Sequence, residues 1–422
     1  MADGDEPLRC RGMRDLLPGE MAGYRQVEET FARICGDWGY SEIRTPTIEF
    51  LHLFTAAGTL SPQMLERTYS FLDWDGWSGE RVVLRPDATI PAARLYVENL
   101  FPGQLARFFY TQNVFRFSTG EESREDWQCG VELIGETALA GDVELILLGR
   151  AVLERLGLTG LKVGLSHAGL VRTVLSTAGL DTAAQVTAYD RILDSDLTVL
   201  GEIEAKLPDL KAPLHLLFDM QGGKASYLAN LRAAFLSGVP GMAGPLDDLM
   251  KVAATLDRAS CDYQVQTTLV RSFEYYTGPV FEFRANGRRV GGGGRYDDLI
   301  GLVGGESVPA SGFALSAREL ASQLRPRPHA GDGEESWVVR PVGDSPEVLA
   351  ASFAAVAHLH ASGTRASIGS LAGESTVGRW ELTVDQRRGR LTYRLLDKLT
   401  SRQTSHAALE EALNAAESAP ND

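Results

Sequence analysis

Three stretches of the chain set chemically capable side chains at spacings that could bring them together. In DWQCGVELIGE, Gln128, Gly130 and Glu132 fall on one strand face by two-residue alternation, and Cys129, Val131 and Leu133 fall on the other. An amide and a carboxylate flanking a bare position suggest the wall of a polar pocket; an ordinary solvated sheet face is the competing reading. Between Leu269 and Gly312, Arg271 and the pair Tyr275-Tyr276 precede four consecutive glycines, Gly291 to Gly294, and Arg295-Tyr296-Asp297 follow them. So bare a backbone is kept where a ligand or a second segment must approach closely, with a flexible surface loop as the alternative. Asp87 and Thr89 stand at a strand-to-helix junction, where the ordinary role is N-capping and first-turn stabilisation.

The elements that must position these residues are legible in outline. Val27, Phe31, Ile34, Cys35 and Trp38 recur at helical spacing, and Gly39-Tyr40 ends that helix. SEIRTPTIE reads as a strand interrupted by Pro46, which suits an edge, a bulge or an end. TYSFLDWDGWSGERVVL reads as two strands meeting at Asp75-Gly76, with a helix starting near Asp87. RFFYTQNVFRF pairs with DWQCGVELIGE. GDVELILLGRAVLERLGL carries Leu145, Leu148, Val152 and Leu156 on one helix side. Residues about 160 to 260 are Ala- and Leu-rich helical signals broken at Gly179, Pro208, Pro213 and Pro240. Val280 to Phe283 is a strand, Asn286-Gly287 supplies φ > 0 for a hairpin turn, and Arg288 to Val290 returns. The expected division is a domain over 1–325, a Pro/Gly/charged linker over 326–336, and a small α/β module over 337–422. In that module SWVVRPV reads as a strand, PEVLAASFAAVAHLHASG as a helix and RWELTVDQRRGRLTYRLL as a hairpin, with a frayed tail after about Glu410.

Composition narrows the classes. The 422 residues are 44% hydrophobic and 23% charged, as in an ordinary globular protein of two or three domains. A net charge of −15 lowers the expectation of non-specific nucleic-acid binding. Cys10, Cys35, Cys129 and Cys261 lie far apart without CxxC spacing, which fits reduced thiols of a cytoplasmic protein and suggests no zinc site. His358 and His360 lack an acidic or cysteine partner at ligand spacing, so no metal or other cofactor is expected. No apolar run reaches membrane-spanning length, and MADGDEPLRCRG is polar rather than signal-like.

VRSFEYYTG and GGGGRYDDL resemble the two signature segments of the histidyl-tRNA synthetases, and the resemblance runs from about Arg11 to about Leu320. It implies an α+β fold of the class II aminoacyl-tRNA synthetase type, an antiparallel sheet flanked by helices with a helical insertion. It also implies a homodimeric core through the segment around Pro46. For a histidine pocket, it assigns the ammonium to Asp87 and Thr89, the carboxylate to Gln128 and Arg271, and the imidazole to Glu132, Tyr276 and Tyr296. Arg116 and Tyr275 complete the implied set. Asp87 stands where the synthetases carry the longer Glu of LRPEGT.

The nucleotide apparatus departs from the pattern. FRFSTGEESRED keeps Arg116 but sets Ser118 and Thr119 where the synthetases have the Glu and Arg of FR-x-ER, and it adds Glu121, Glu122, Glu125 and Asp126. PASGFALSAREL exchanges the synthetases' Glu-Arg pair for Arg318-Glu319, which at 3.6 residues per turn rotates the guanidinium about 100°. Carboxylates beside a triphosphate repel it, and a missing arginine removes a bidentate donor. An amino-acid pocket kept without its nucleotide site resembles the family of ATP phosphoribosyltransferase regulatory subunits. That likeness implies no catalytic residues of its own, a short-form catalytic subunit as partner, free histidine as effector at the first step of histidine biosynthesis, and no tRNA. A divergent histidyl-tRNA synthetase, and a histidine- or RNA-sensing protein with another partner, remain open.

Overall fold

The computed structural model describes residues 8–56, 67–74, 76–77, 79–100, 103–118, 123–136, 138–193, 196, 198–219, 221–235, 238–267, 269, 276–324, 336–369 and 378–418. The chain divides into two compact units, Met1–Leu324 and Arg325–Asp422.

The first unit holds strands β1 (Ser41–Glu42), β2 (Ile48–Phe50), β3 (Ser70–Trp74), β4 (Gly79–Leu84), β5 (Ala106–Phe115), β6 (Glu125–Ile134), β7 (Lys162–His167), β8 (Gln221–Gly223), β9 (Tyr263–Gln266), β10 (Pro279–Ala285), β11 (Arg288–Arg295) and β12 (Ala310–Ser316). Nine of them make one sheet in the order β1-β5-β6-β12-β11-β10-β7-β9-β8, while β2, β4 and β3 form a separate three-stranded sheet. Pro46 therefore separates two strands that belong to different sheets. The large sheet is antiparallel except where β1 joins β5 and β7 joins β9.

One face of the large sheet is the main core. Cys129, Val131 and Leu133 of β6 meet Val27, Phe31 and Cys35 of the helix Pro18–Asp37 and Leu145, Leu148 and Val152 of the helix Ala138–Arg155. These positions recur at helical or alternating spacing, so each element buries one stripe. Trp38, by contrast, lies just past its helix and stays 37% exposed. On the opposite face a smaller cluster gathers Leu53, Phe54, Val83, Ile90, Tyr96, Tyr296 and Ile300. The cavity described below opens beside that cluster.

Two readings of the sequence change. Gly291 to Gly294 are not the surface loop of the alternative reading; they lie inside β11, between β10 and β12. A Cβ at Gly292 would stand 2.6 Å from the Phe281 carbonyl, and one at Gly294 2.7 Å from the Pro279 carbonyl, so close backbone approach is what requires them. The stretch from about 160 is also not purely helical. Lys162–His167 pairs with β10 inside the large sheet, and β8 and β9 extend that sheet further. The hairpin turn between β10 and β11 carries φ of 50° at Asn286 and 78° at Gly287, the pattern of a type I′ turn.

The second unit is a five-stranded sheet in the order β14-β13-β15-β16-β17, from β13 (Trp337–Pro341), β14 (Ala366–Ile368), β15 (Trp380–Arg387), β16 (Arg390–Asp397) and β17 (Arg402–His406). The helices Pro346–Ala361 and Leu409–Glu417 pack on it. The tail is thus ordered by burial of Ala412, Leu413 and Ala416, rather than frayed from Glu410.

Candidate functional site

A cavity of about 500 Å³ opens on the sheet face opposite the main core. Its walls include Asp87 and Thr89, Arg116, Asp126 and Gln128, Tyr276 and Tyr296, the bare Gly291, Gly292 and Gly312, and Arg289, Arg318 and Glu319 at the rim. Six of the nine residues singled out from sequence, Asp87, Thr89, Arg116, Gln128, Tyr276 and Tyr296, therefore share one wall. Arg271 and Tyr275 lie outside the described residues.

Glu132 is placed differently. It is 1% exposed and lies behind the wall that Tyr296, Thr89 and Gly312 form. Tyr110 donates to its Oε1 at 2.8 Å, Tyr296 donates to its Oε2, and the Thr89 hydroxyl also bonds to it. Burial raises its carboxyl to about 8, against the pull of the hydrogen bonds from Tyr296, Thr89 and Tyr110. Burial likewise pushes the Tyr276 hydroxyl well up.

The geometry follows from strand register. On β6, Glu132, Gly130 and Gln128 face Gly312, Ala314 and Ser316 of β12, pair by pair. The small residues opposite and between leave room for the two polar ones. Tyr110 stands opposite Gly130 on β5, and its ring fills the place a Cβ of Gly130 would take, which brings its hydroxyl to Glu132. Sequence reading missed Tyr110. The signal was present, since Tyr110 and Gln112 alternate on one face of RFFYTQNVFRF just as Gln128 and Glu132 do.

Asp87 performs the ordinary role too. Its Oδ1 accepts from the amides of Thr89 at 2.9 Å and Ile90 at 3.0 Å, starting the helix Thr89–Asn99. Burial raises its carboxyl, while those amides and the nearby Arg116 guanidinium oppose the rise. Arg116 donates its Nε to the Pro86 carbonyl at 3.0 Å. Arg85, also unremarked in the sequence, is a buried tie: it donates to the carbonyls of Asn113, Thr45 and Pro46 at 2.7, 2.8 and 3.1 Å, fixing the start of this segment.

Arg295 leaves the cavity altogether. Buried at 8% exposure, it donates to Asp142 of the helix Ala138–Arg155 and, at 3.2 Å, to Asp248 of the helix Ala243–Arg258. Its neighbour Asp297 accepts the Ala310 amide at 3.0 Å. Of the Arg295-Tyr296-Asp297 run, only Tyr296 faces the cavity.

The rim corrects the reading of the nucleotide side in detail. Residues 119–122 lie outside the described residues, and Glu125 and Asp126 are the first residues of β6 rather than part of a loop. The exchange at Arg318-Glu319 does not turn the guanidinium away, because both side chains line the cavity. The helix there spans only Ala317–Ala321, and the long Arg318 side chain reaches back toward Asp126, 3.8 Å from its Oδ1. Glu319 is engaged by Arg288 at 2.5 Å, and Arg289 by Glu282 at 2.9 Å. Carboxylates thus face Arg288, Arg289 and Arg318, while Arg67 and Arg116 also line the cavity. Among the described residues no cluster of three or more His, Cys, Asp or Glu is placed to hold a metal, and no helix is long and apolar enough to cross a membrane.

The family model for histidyl-tRNA synthetase matches residues 12–320. An ATP phosphoribosyltransferase regulatory subunit of Dehalococcoides mccartyi is 45% identical over 340 residues, 80% of this chain and 82% of that one. A histidine–tRNA ligase of Methanosarcina acetivorans is 36% identical over 320 residues, 73% of each chain. The crystal structure of an ATP phosphoribosyltransferase regulatory subunit/histidyl-tRNA synthetase from Bacillus halodurans superposes with a TM-score of 0.74 at 24% identity, over 90% of this chain and 100% of that one, and shares the class II fold. The chain belongs to the histidyl-tRNA synthetase family, and within it to the group of ATP phosphoribosyltransferase regulatory subunits.

Proposed function

We propose that this chain is a non-catalytic regulatory subunit that binds free histidine in the cavity and thereby controls a short-form ATP phosphoribosyltransferase catalytic subunit at the first step of histidine biosynthesis. Asp87 and Thr89 face the ammonium, Gln128 and Arg271 the carboxylate, and the Glu132–Tyr296 pair with Tyr276 the imidazole, with Arg116 and Tyr275 completing the surround. Charge-assisted hydrogen bonds of this kind contribute roughly 1.5 to 3 kcal/mol each, enough to select histidine over apolar isosteres. In this reading the chain works in the cytoplasm, as a homodimeric core within a hetero-oligomer, and takes neither tRNA nor a cofactor.

The observation that carries the reading is the contrast between the two ends of one cavity. Behind its Thr89–Tyr296 wall lies a buried carboxylate ringed by the hydroxyls of Tyr110, Thr89 and Tyr296. At the rim Glu319 meets Arg288 and Asp126 faces Arg318. Adenylate chemistry needs positive charge left over to neutralise a triphosphate, and carboxylates set against the rim cations reduce it. Kinship with regulatory subunits supports the same side of the choice. Control then requires histidine to bind two assembly states with different affinity, typically by about 1 to 3 kcal/mol.

The test is co-purification with a short-form catalytic subunit, followed by phosphoribosyl transfer assays with and without histidine. Complex formation with histidine-dependent loss of activity is the expected result. Histidine-dependent exchange of pyrophosphate into ATP by the chain alone would instead identify a divergent synthetase, and retention of tRNA on a gel would identify an RNA-sensing relative.

A further inference from the structure

Large apolar side chains left exposed among the described residues concentrate on one small element: Ile48 and Phe50 of β2, Phe71, Leu72 and Trp74 of β3, and Trp77 in the β3–β4 connection. Every residue of β3 is exposed, and β3 is an outer strand of its three-stranded sheet. Trp74 and Trp77 stand 62% and 95% open. Together these residues leave several hundred Å² of apolar surface uncovered. That is more than a monomer usually shows and the scale of one partner's share of a standard interface, about 800 Å².

Beside that sheet a recess of about 660 Å³ opens between the helix Pro18–Asp37 and the strands β1 and β5. Leu16, Met21, Tyr24, Phe109 and Trp127 give it an apolar lining, and Thr45 and Thr47 carry its wall up to Ile48, the first residue of β2. Recess and exposed sheet are therefore one continuous surface. Gln112, 3% exposed, also lines the recess; its Oε1 accepts from Thr45 Oγ1 at 2.9 Å, while its buried Nε2 has no hydrogen-bond partner among the described residues. An acceptor brought by an incoming chain is what satisfies such a donor. A chain that carries a projecting aromatic hairpin next to a recess can close a two-fold pair in which each copy fills the other. A foreign partner must match projection and recess at once, whereas a second copy does so by symmetry.

We propose that the β3–β4 hairpin of a second copy, with Trp74 and Trp77 near its tip, sits in this recess, and that the reciprocal contact braces the histidine cavity. The link between the two is short. Arg67 precedes β3 and Asp87 follows β4, and both line the histidine cavity. Arg85 lines the recess, and Gln112 stands directly opposite Gln128 of the cavity across β5 and β6. The two hollows share a wall, and a hairpin held at its tip is held at its roots. This gives the homodimer of the proposed function its contact; the docking stands without histidine, whereas the bracing rests on the cavity taking it.

The test uses the full chain. With benzoylphenylalanine in place of Trp77, irradiation of mixed heavy- and light-isotope chains joins the hairpin of one copy to residues 16–24 of another. In sedimentation, the double variant Trp74→Glu, Trp77→Glu is a monomer at concentrations where wild type is a dimer. Calorimetry then finds its histidine affinity lower by about fivefold to a hundredfold, the size of an ordinary coupling between sites. Should the double variant fail to fold, the cross-link still decides the docking. Cross-links confined to one chain, or joining hairpin to hairpin, overturn it, as does a double variant that remains a dimer. A monomeric variant that binds histidine as tightly as wild type overturns the bracing. A wild type that docks through the recess and binds no histidine overturns the histidine reading, and the bracing with it.

Discussion

Gly312 lies directly opposite Glu132 across the β6–β12 pair, and a Cβ built on it would overlap Oε2 of that carboxylate. The same Cβ would stand 2.7 Å from the Tyr296 hydroxyl and 2.6 Å from the Val131 carbonyl. The absence of a side chain at one position is therefore what lets the carboxylate and the tyrosine meet. Gly312→Ala forces the strand or the Glu132–Tyr296 pair to move, and overpacking of this sort destabilises by about 1 to 3 kcal/mol. A lower melting temperature and a lost histidine-induced shift are expected; an unchanged shift would detach the Glu132–Tyr296 pair from ligand binding.

Glu132 also gives the empty protein a distinct pH dependence. Its folded-state value of about 8 lies above the ordinary 4.5 of a free glutamate, so the folded chain holds this proton more tightly than the unfolded one. The associated stability is fully present below about pH 4.5 and is lost as pH rises through about 8. Glu132→Gln removes that dependence and retains the shape. Thermal scans from pH 5 to pH 9 should show wild type losing ground steadily to the variant, by up to a few kcal/mol in total. A pH-independent difference between the two would mean that Glu132 titrates normally. Asp142, raised to about 6 by burial, adds a slope of the same sign that both proteins share.

What the sequence discloses and what it conceals divide along the range of the interaction. The helix Pro18–Asp37, the β10–β11 hairpin and the two faces of β6 were legible because their patterns repeat every few residues. Gln128 and Glu132 could be set on one polar face for that reason. The partners of Glu132 were only partly legible. Tyr296 lies 164 residues away and entered through resemblance, and the alternation of Tyr110 with Gln112 marks a polar face of its strand but not the register that sets Tyr110 opposite Gly130. Lys162–His167 was hidden among helical signals because six residues with a central glycine show little alternation. Gly291 to Gly294 could be read as a site of close approach, but which segment approaches could not, because the crowding comes from the backbones of strands distant in sequence. Arg318 was misplaced because counting residues per turn sets the direction of a Cβ, not the end of a long side chain that reaches back toward Asp126.

The Arg295–Asp142 contact is structural. Asp142 is fully buried and accepts from Arg295 and, at 3.2 Å, from Ser311, tying the helix Ala138–Arg155 to β11 and β12. Removing one member leaves the other charge buried without its partner, which costs about 3 to 5 kcal/mol. Asp142→Ala should lower the melting temperature far more than Asp248→Ala, because Asp248 is 37% exposed and water can replace it. Equal losses in the two variants would show that the guanidinium relies on both carboxylates alike.

The second unit has a core of its own, so it should fold when separated. Trp337, Val339, Leu382, Val384 and Leu395 from the strands close against Val348, Ala355 and Leu359 of one helix and Ala412, Leu413 and Ala416 of the other. Buried Asp397 is held by Arg379, with both N–O contacts at 3.2 Å, and it also accepts the Leu399 amide at 3.0 Å. A fragment beginning at Ser336 keeps all of these groups. The indoles of Trp337 and Trp380 stack with centroids 5.6 Å apart, and Arg379 lies over the second ring, which gives the fragment an optical signature. The fragment should show near-ultraviolet circular dichroism and a cooperative melt followed by tryptophan emission, and histidine should leave that melt unshifted. A featureless near-ultraviolet spectrum would mean that this core is completed only in the intact chain.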